Sequence, residues 1–130
     1  MNAELEGRVY PTISFTVEAE HVRRFAAAVG DDPDPVPPTF VTAAEIISGL
    51  DRAVADPDLG LDFTRVVHGE EEYEWFRPLL VGETLSVSTS IESARAKGGH
   101  GFLTLRTEVL DAAGRTVAIA RSTMIERGLS

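Results

Sequence analysis

Apolar and polar residues alternate over residues 12–18, with Ile13, Phe15 and Val17 on one side, and this period of two predicts a short half-buried strand or extended lead-in. The period then lengthens. Over residues 18–29 the apolar positions Val22, Phe25, Ala26 and Val29 recur at helical spacing, with Glu18 and Glu20 in the first turn and Gly30 just beyond the end. A short amphipathic helix is expected there. Residues 31–38 hold four prolines and three aspartates, which fix backbone angles and withhold donors, so they predict a rigid loop. Thr39 is placed to cap a second helix over residues 40–54, where Ala43, Ile46, Ile47, Leu50, Ala53 and Val54 form a broad apolar stripe. At about 1.5 Å per residue such a helix is roughly 22 Å long, enough to lie along one face of a sheet.

Four strand-like runs follow, at residues 65–76, 84–96, 101–111 and 115–127. Pro78 with Gly82, the tip Lys97-Gly98-Gly99-His100, and Asp111-Ala112-Ala113-Gly114 separate them with turn residues at hairpin length, which predicts an antiparallel meander. Leu85, Val87, Thr89 and Ile91 alternate with polar residues, mostly serines, and Val117, Ile119, Arg121 and Thr123 alternate with small residues, so one face should be packed and the other wet. The second helix is the obvious cover for the packed face.

At 130 residues and 43% hydrophobic content the chain suits one domain with a single core, over residues 1–130. It contains no cysteine, which removes disulfides, thiolate metal sites and a cysteine nucleophile, and fits a reducing cytoplasm. Glu4, Glu6 and Arg8 stand where a signal peptide needs an apolar run, and no apolar stretch approaches the ~20 residues of a membrane span, so neither export nor a membrane is expected. A formal net charge of -9 repels nucleic-acid phosphates. It also opposes a strongly acidic carrier protein, unless Arg23, Arg24, Arg95, Lys97 and Arg106 gather into a patch on folding.

The candidate chemistry is concentrated in two segments, RVVHGEEEYEWFRPLLVGETL at residues 65–85 and Pro37-Pro38-Thr39-Phe40 upstream. This pairing resembles the MaoC-like dehydratases, and within them the FAS1-like dehydratase or HadA-type branch. The resemblance implies an α+β hot-dog fold, an antiparallel sheet wrapped around a central helix, which agrees with the order of predicted elements. It further implies an acyl thioester of CoA or acyl carrier protein as substrate, no cofactor, and assembly as a homodimer or as a heterodimer with a related hot-dog subunit.

Members of that family add water to a 2-enoyl thioester, or remove it from the (3R)-hydroxyacyl form, with a carboxylate and an imidazole sharing one water. By resemblance, Gly30-Asp31 matches the family's Gly-Asp, making Asp31 the candidate carboxylate. The family's loop continues Asn-Pro, one residue, then His; this one continues Asp32-Pro33-Asp34-Pro35-Val36 and has no histidine. Asp31 reads more readily as a turn aspartate bonded to its own backbone. Pro38, Thr39 and Phe40 lead into the helix whose first amides meet the thioester carbonyl in the family, and they read also as a proline stop and a cap.

His68, beside Gly69 in a recurring HG-x-x-x-F/Y pattern of the branch, could replace the missing imidazole or be a satisfied structural group. His21, in a first helical turn, and His100, on a hairpin tip, are expected to be exposed. No histidine pair has metal-ligand spacing, and no metal is expected. Glu70, Glu71, Glu72 and Glu74 put charge on both faces of one strand, part of which must meet water or another subunit. Tyr73 and Trp75 share a face and read as the wall of an acyl tunnel, or as core or dimer contact. Three functions stay open: a dehydratase or hydratase, a non-catalytic subunit shaping the acyl channel of a histidine-bearing partner, and a hot-dog thioesterase.

Overall fold

The computed structural model describes residues 1–128. Five antiparallel strands form one sheet: β1 (Ile13–Thr16), β2 (Val66–Trp75), β3 (Thr84–Lys97), β4 (His100–Leu110) and β5 (Thr116–Glu126), in the order β1-β3-β4-β5-β2. Helix α1 (Ala19–Val29) ends at Gly30, whose φ of 74° is the left-handed conformation that glycine adopts without a Cβ penalty, and the Gly30 amide donates back to the helix. The central helix runs as α2 (Val41–Glu45), a π-helical stretch (Ile46–Leu50) and α3 (Asp51–Ala55).

The sheet closes on this helix as the hot-dog fold requires. Leu85, Val87, Thr89 and Ile91 of β3 are all buried, as are Leu103, Leu105, Thr107 and Val109 of β4, so the period of two read from the sequence matches the inward face. The helix approaches closely enough that a Cβ on Gly49 would lie 2.7 Å from Thr89 Cγ2. A chain of hydroxyls from Ser48 to Thr89 (2.9 Å) and on to Thr107 (2.7 Å) satisfies the polar groups in that contact.

Four expectations are corrected. The strands do not form a continuous meander: β2 pairs with β5, and β1 takes the edge of β3 that a β2–β3 hairpin would need. The link over residues 76–83 can cross the sheet because eight extended residues reach roughly 26 Å, whereas three strand spacings are only about 14 Å. The helix does not pack through its isoleucines either. Val41, Ala44, Glu45, Ser48, Gly49 and Ala53 are buried, while Ile46 and Ile47 are 40% and 47% exposed. Small residues are what the close approach at Thr89 demands, and the bulkier apolar ones are left outward.

Thr39 does not cap: it lies exposed inside a 3-10 turn (Pro38–Phe40) that has no side-chain cap. His21 is half-buried, its ring 4.8 Å edge-on from Phe40 in a cluster with Phe15 and Phe25. His100, by contrast, is exposed, and its Nδ1 accepts from the Gly128 amide.

Beneath the sheet's far end, Arg8 and Tyr10 donate to Asp56 at 2.9 Å each, tying the N-terminal segment to the end of α3. Burial opposes ionisation of Asp56, yet the Tyr10 and Arg8 donors hold its carboxyl below the usual range. At the other end Arg77 bridges Glu83 (2.6 Å) and Asp111 (3.5 Å), fastening the β2–β3 crossing to the β4–β5 turn.

Candidate functional site

Glycine 69 sets the site. In β2 the pairing with β5 runs His68 to Met124 and then Glu70 to Thr123, leaving Gly69 as an unpaired β-bulge residue. A Cβ there would stand 2.7 Å from Ile125 Cδ1, so the bulge is packed for glycine. One extra residue changes the phase of the strand: His68 faces the helix, and so do Glu71, Tyr73 and Trp75, whereas Glu70, Glu72 and Glu74 face away. Without the bulge, His68 and Glu71 would lie on opposite faces.

Those inward side chains meet the central helix around a cavity of about 230 Å³. Ile46, Leu50, Phe63, Val66, Leu105 and Met124 make its wall apolar, and Thr42, Glu45, His68, Glu71 and Ser122 supply the polar groups. His68 Nε2 is 3.1 Å from Glu71 Oε2 and 3.2 Å from Ser122 Oγ. From β5, Ser122 and Met124 line the cavity, and the inward residues Ala118 and Ala120 farther back along the strand are small. Of Val117, Ile119, Arg121 and Thr123, expected to alternate with small residues, Val117 is buried and the other three are half-buried, while the small Ala118, Ala120 and Ser122 are all inside.

Glu45 is 6% exposed, and beyond the other carboxyl neither its Oε2 nor Glu71 Oε1 has a hydrogen-bond partner. Burial, then a hydrogen bond to the neighbouring Glu71 carboxyl and the charge of that carboxyl, push the Glu45 carboxyl up to about 9, so it keeps its proton at neutral pH and shares it with Glu71. Tyr73 makes a 2.5 Å contact with the Thr42 hydroxyl. Burial pushes the Tyr73 hydroxyl up to about 12, with the Glu71 and Glu45 charges adding to it and the Thr42 contact opposing it.

A second hollow of about 240 Å³ lies past Tyr73, lined by Val36, Pro38, Trp75, Phe76, Arg77, Pro78 and Leu79. On the inward face of β2, Tyr73 stands between Glu71, which lines the first cavity, and Trp75, which lines the second. The Tyr73–Thr42 contact therefore partitions the two.

The residues singled out from the sequence divide among these places. His68 lines the first cavity, Pro38 and Trp75 the second hollow, and Tyr73 the partition. Phe40 is fully buried in the aromatic cluster, and its amide donates to the Pro37 carbonyl at 2.9 Å. Asp31 is exposed and lines neither cavity; its Oδ1 accepts from the Asp32 amide at 2.8 Å, and its own amide donates to Ala26. Glu45, Glu71 and Ser122 complete the first cavity without having been singled out as site residues. A glycine interrupting a strand pattern is the one sequence signal that pointed toward them. Among the described residues no group of three or more His, Cys, Asp or Glu side chains is arranged to hold a metal ion.

The five-stranded antiparallel sheet closed on a central helix is the hot-dog fold, shared with MaoC-like and HadA-type proteins. Residues 32–120 match the FAS1-like dehydratase domain region. The chain belongs to that group and, within it, to the UPF0336 proteins: it is 36% identical to the UPF0336 protein of Saccharopolyspora erythraea over 94% of this chain and 88% of that one. Identity to the UPF0336 protein of Streptomyces avermitilis is 38%, covering 93% of this chain and 91% of the other.

Two solved structures share the fold at low identity. The C-terminally truncated HadBC (3R-hydroxyacyl-ACP dehydratase) complex of Mycobacterium tuberculosis superposes with a TM-score of 0.80 at 23% identity, covering 93% of this chain and 96% of that one. The (R)-hydratase from A. caviae involved in PHA biosynthesis gives 0.63 at 19%, covering 92% and 94%.

Proposed function

We propose that this chain is an acyl-thioester-binding subunit of a (3R)-hydroxyacyl-thioester dehydratase or enoyl hydratase, whose loop aspartate–histidine pair comes from a second, related hot-dog chain. The observation that carries this reading is the loop at residues 31–38. It has no histidine, and Asp31 is spent on its own turn while an apolar cavity stands open beside the sheet edge. A general acid–base pair must reach the same water, and a lone exposed carboxylate cannot do both transfers.

Pairing with another chain is supported by the surface. Strand β2 is an edge, and Ile46, Ile47, Val54, Phe63 and Val67 are exposed large apolar residues on the central helix, in the turn before β2 and on β2 itself. The naming of the HadBC dehydratase as a complex agrees with heteromeric assembly. Pro38 and Trp75 fit the role of outer acyl contacts, with Tyr73 between the two hollows. One domain spanning the chain suffices for these roles, and no helix among the described residues is long and apolar enough to cross a membrane.

The test is turnover of crotonyl-CoA by the purified chain, alone and mixed with a histidine-bearing hot-dog subunit from the same source. Turnover is expected only in the mixture. A second reading has its own support: the His68 imidazole lies 3.1 Å from Glu71 at the cavity rim, an arrangement suited to a general base. On that reading the pure chain hydrates crotonyl-CoA and loses the activity on His68→Ala with its fold intact. Activity of the pure chain lost on Asp31→Asn instead assigns that carboxylate the role. Release of free thiol from acyl-CoA by the pure chain turns the assignment to a thioesterase.

A further inference from the structure

Strand β2 is the longer of the sheet's two outer strands, ten residues against four in β1, and among the described residues its far side pairs with no other strand. An edge of that length presents a row of free amides and carbonyls that another chain can extend. Its inward side is also incompletely covered. Glu71, Tyr73 and Trp75 are half-buried and His68 is exposed, whereas Val87, Thr89 and Ile91 of β3 and Leu103, Leu105 and Thr107 of β4 are buried. Ile46, Phe63 and Val67 lie exposed on and beside this edge, and Ile46 and Phe63 belong to the wall of the first cavity. A chain docked here would close that cavity as well as extend the sheet.

The outward side of the same strand says what kind of chain fits. Glu70, Glu72 and Glu74 stand there at alternate positions, all exposed. Arg121 holds both oxygens of Glu92 at 3.1 Å and stands 3.7 Å from Glu72, while Glu70 and Glu74 have no ion pair among the described residues. In an antiparallel ladder a second copy of β2, centred on any residue from 70 to 74, sets at least one glutamate directly opposite a glutamate. Centring it between two residues sets the inward side of one copy against the outward side of the other. Opposed side chains have Cβ atoms about 4.5–5.5 Å apart, a distance at which like charges repel and unlike charges attract. We propose that the β2 edge docks the edge strand of a second, different hot-dog chain carrying Lys or Arg opposite Glu70, Glu72 and Glu74, and that the same row disfavours a second copy of this chain. This rests on the two-chain reading given above and adds to it the chemistry by which the partner is chosen. Ile46, Phe63 and Val67 supply apolar contact to any chain on this edge, and the glutamates discriminate between chains.

The experiment makes the chain its own basic partner. The wild type, a triple variant carrying Glu70→Lys, Glu72→Lys and Glu74→Lys, and their equimolar mixture are compared by sedimentation at ionic strengths of about 0.05 and 0.5 M. At low salt the mixture is expected to associate at least about tenfold more tightly than the wild type alone, and the gap is expected to close at high salt. Should the triple variant fail to fold, Glu70→Lys with Glu74→Lys, which keeps Glu72 beside Arg121, carries the same comparison. A control of equal net charge, Glu4→Lys with Glu6→Lys and Glu18→Lys, changes exposed residues outside β2 and should bring no such gain when mixed with the wild type. No gain from the β2 variant, or an equal gain from the control, overturns the proposal. The histidine-bearing subunit of the turnover test separates the proposal from the reading beneath it. Binding of that subunit at least about tenfold tighter by the wild type than by the triple variant supports both. Equal binding by the two overturns the charge matching and leaves the two-chain reading standing; binding by neither removes both.

Discussion

Glu45 sits on the sheet-facing side of the central helix, 6% exposed and next to the Glu71 carboxyl. Along the chain it stands beside two isoleucines that complete an apolar stripe, and that pattern assigns the glutamate to the wet side of the helix. In the fold the stripe is displaced: Thr89 comes so close to Gly49 that small side chains must face the sheet, and Glu45 shares their side. No local periodicity encodes a contact between residues 41 positions apart, as Ser48 and Thr89 are. The consequence is measurable through pH. Glu45 is raised from 4.5 to about 9, so it takes up a proton on folding. Its contribution is fully present below the unfolded value and is lost as pH climbs from about 4.5 through about 9. Glu45→Gln, which mimics the protonated form, is expected to melt within a degree or two of the wild type at acidic pH. At pH above about 8 it should melt higher than the wild type, with the gap widening as pH rises through about 9, read by thermal denaturation across pH.

At the scale of elements, the strands β3, β4 and β5 were legible from alternation and turn residues because each pairs with its neighbour in the chain. Strand β2 was legible as a strand but not in its partner or its phase. Pro78 and Gly82 read as a hairpin turn, yet they belong to a crossing held by Arg77, Glu83 and Asp111. Turn chemistry does not record which strand comes next. The bulge at Gly69 changes which face carries Glu71, and a glycine alone does not specify it. Gly69→Ala should destabilise the fold by about 1 kcal/mol, since the new methyl meets a movable Ile125 Cδ1. Ile125→Val in the same chain should recover part of that in a denaturant double-mutant cycle. Gly49→Ala meets Thr89 at its stiff branch point and should cost more, about 2–3 kcal/mol, in the same measurement. Tyr73→Ala removes the partition at Thr42 and should shift acyl-CoA binding toward longer chains, by about tenfold for the longest one bound, seen by titration with a chain-length series.

The molecule as a whole presents β2 as one of the sheet's two edge strands, exposed apolar residues on and beside it, and a formal charge of -9. Glu70, Glu72 and Glu74 point outward along the β2 edge, with Arg121 close to Glu72 at 3.7 Å. Two copies joined edge to edge through β2 would set glutamates against glutamates, and like charges across strands are destabilising. Self-association is therefore expected to strengthen as salt screens the repulsion, over ionic strengths from about 0.05 to 0.5 M. Sedimentation velocity at the two ends of that range checks it; dimers that dissociate with added salt would show that attraction, not repulsion, governs the edge.

The hot-dog class was legible at this scale because helix-then-strands order, length and the residue 65–85 segment all pointed the same way. What joins it to the proposed chemistry is the missing loop histidine together with the apolar cavity next to β2. The most direct measurement is hydration of crotonyl-CoA by the pure chain, by the chain with a histidine-bearing hot-dog subunit, and by that mixture carrying Met124→Trp, which fills the cavity. No turnover alone, turnover in the mixture, and at least about tenfold loss with Met124→Trp are expected. Full turnover by the pure chain, or a mixture indifferent to Met124→Trp, contradicts the account.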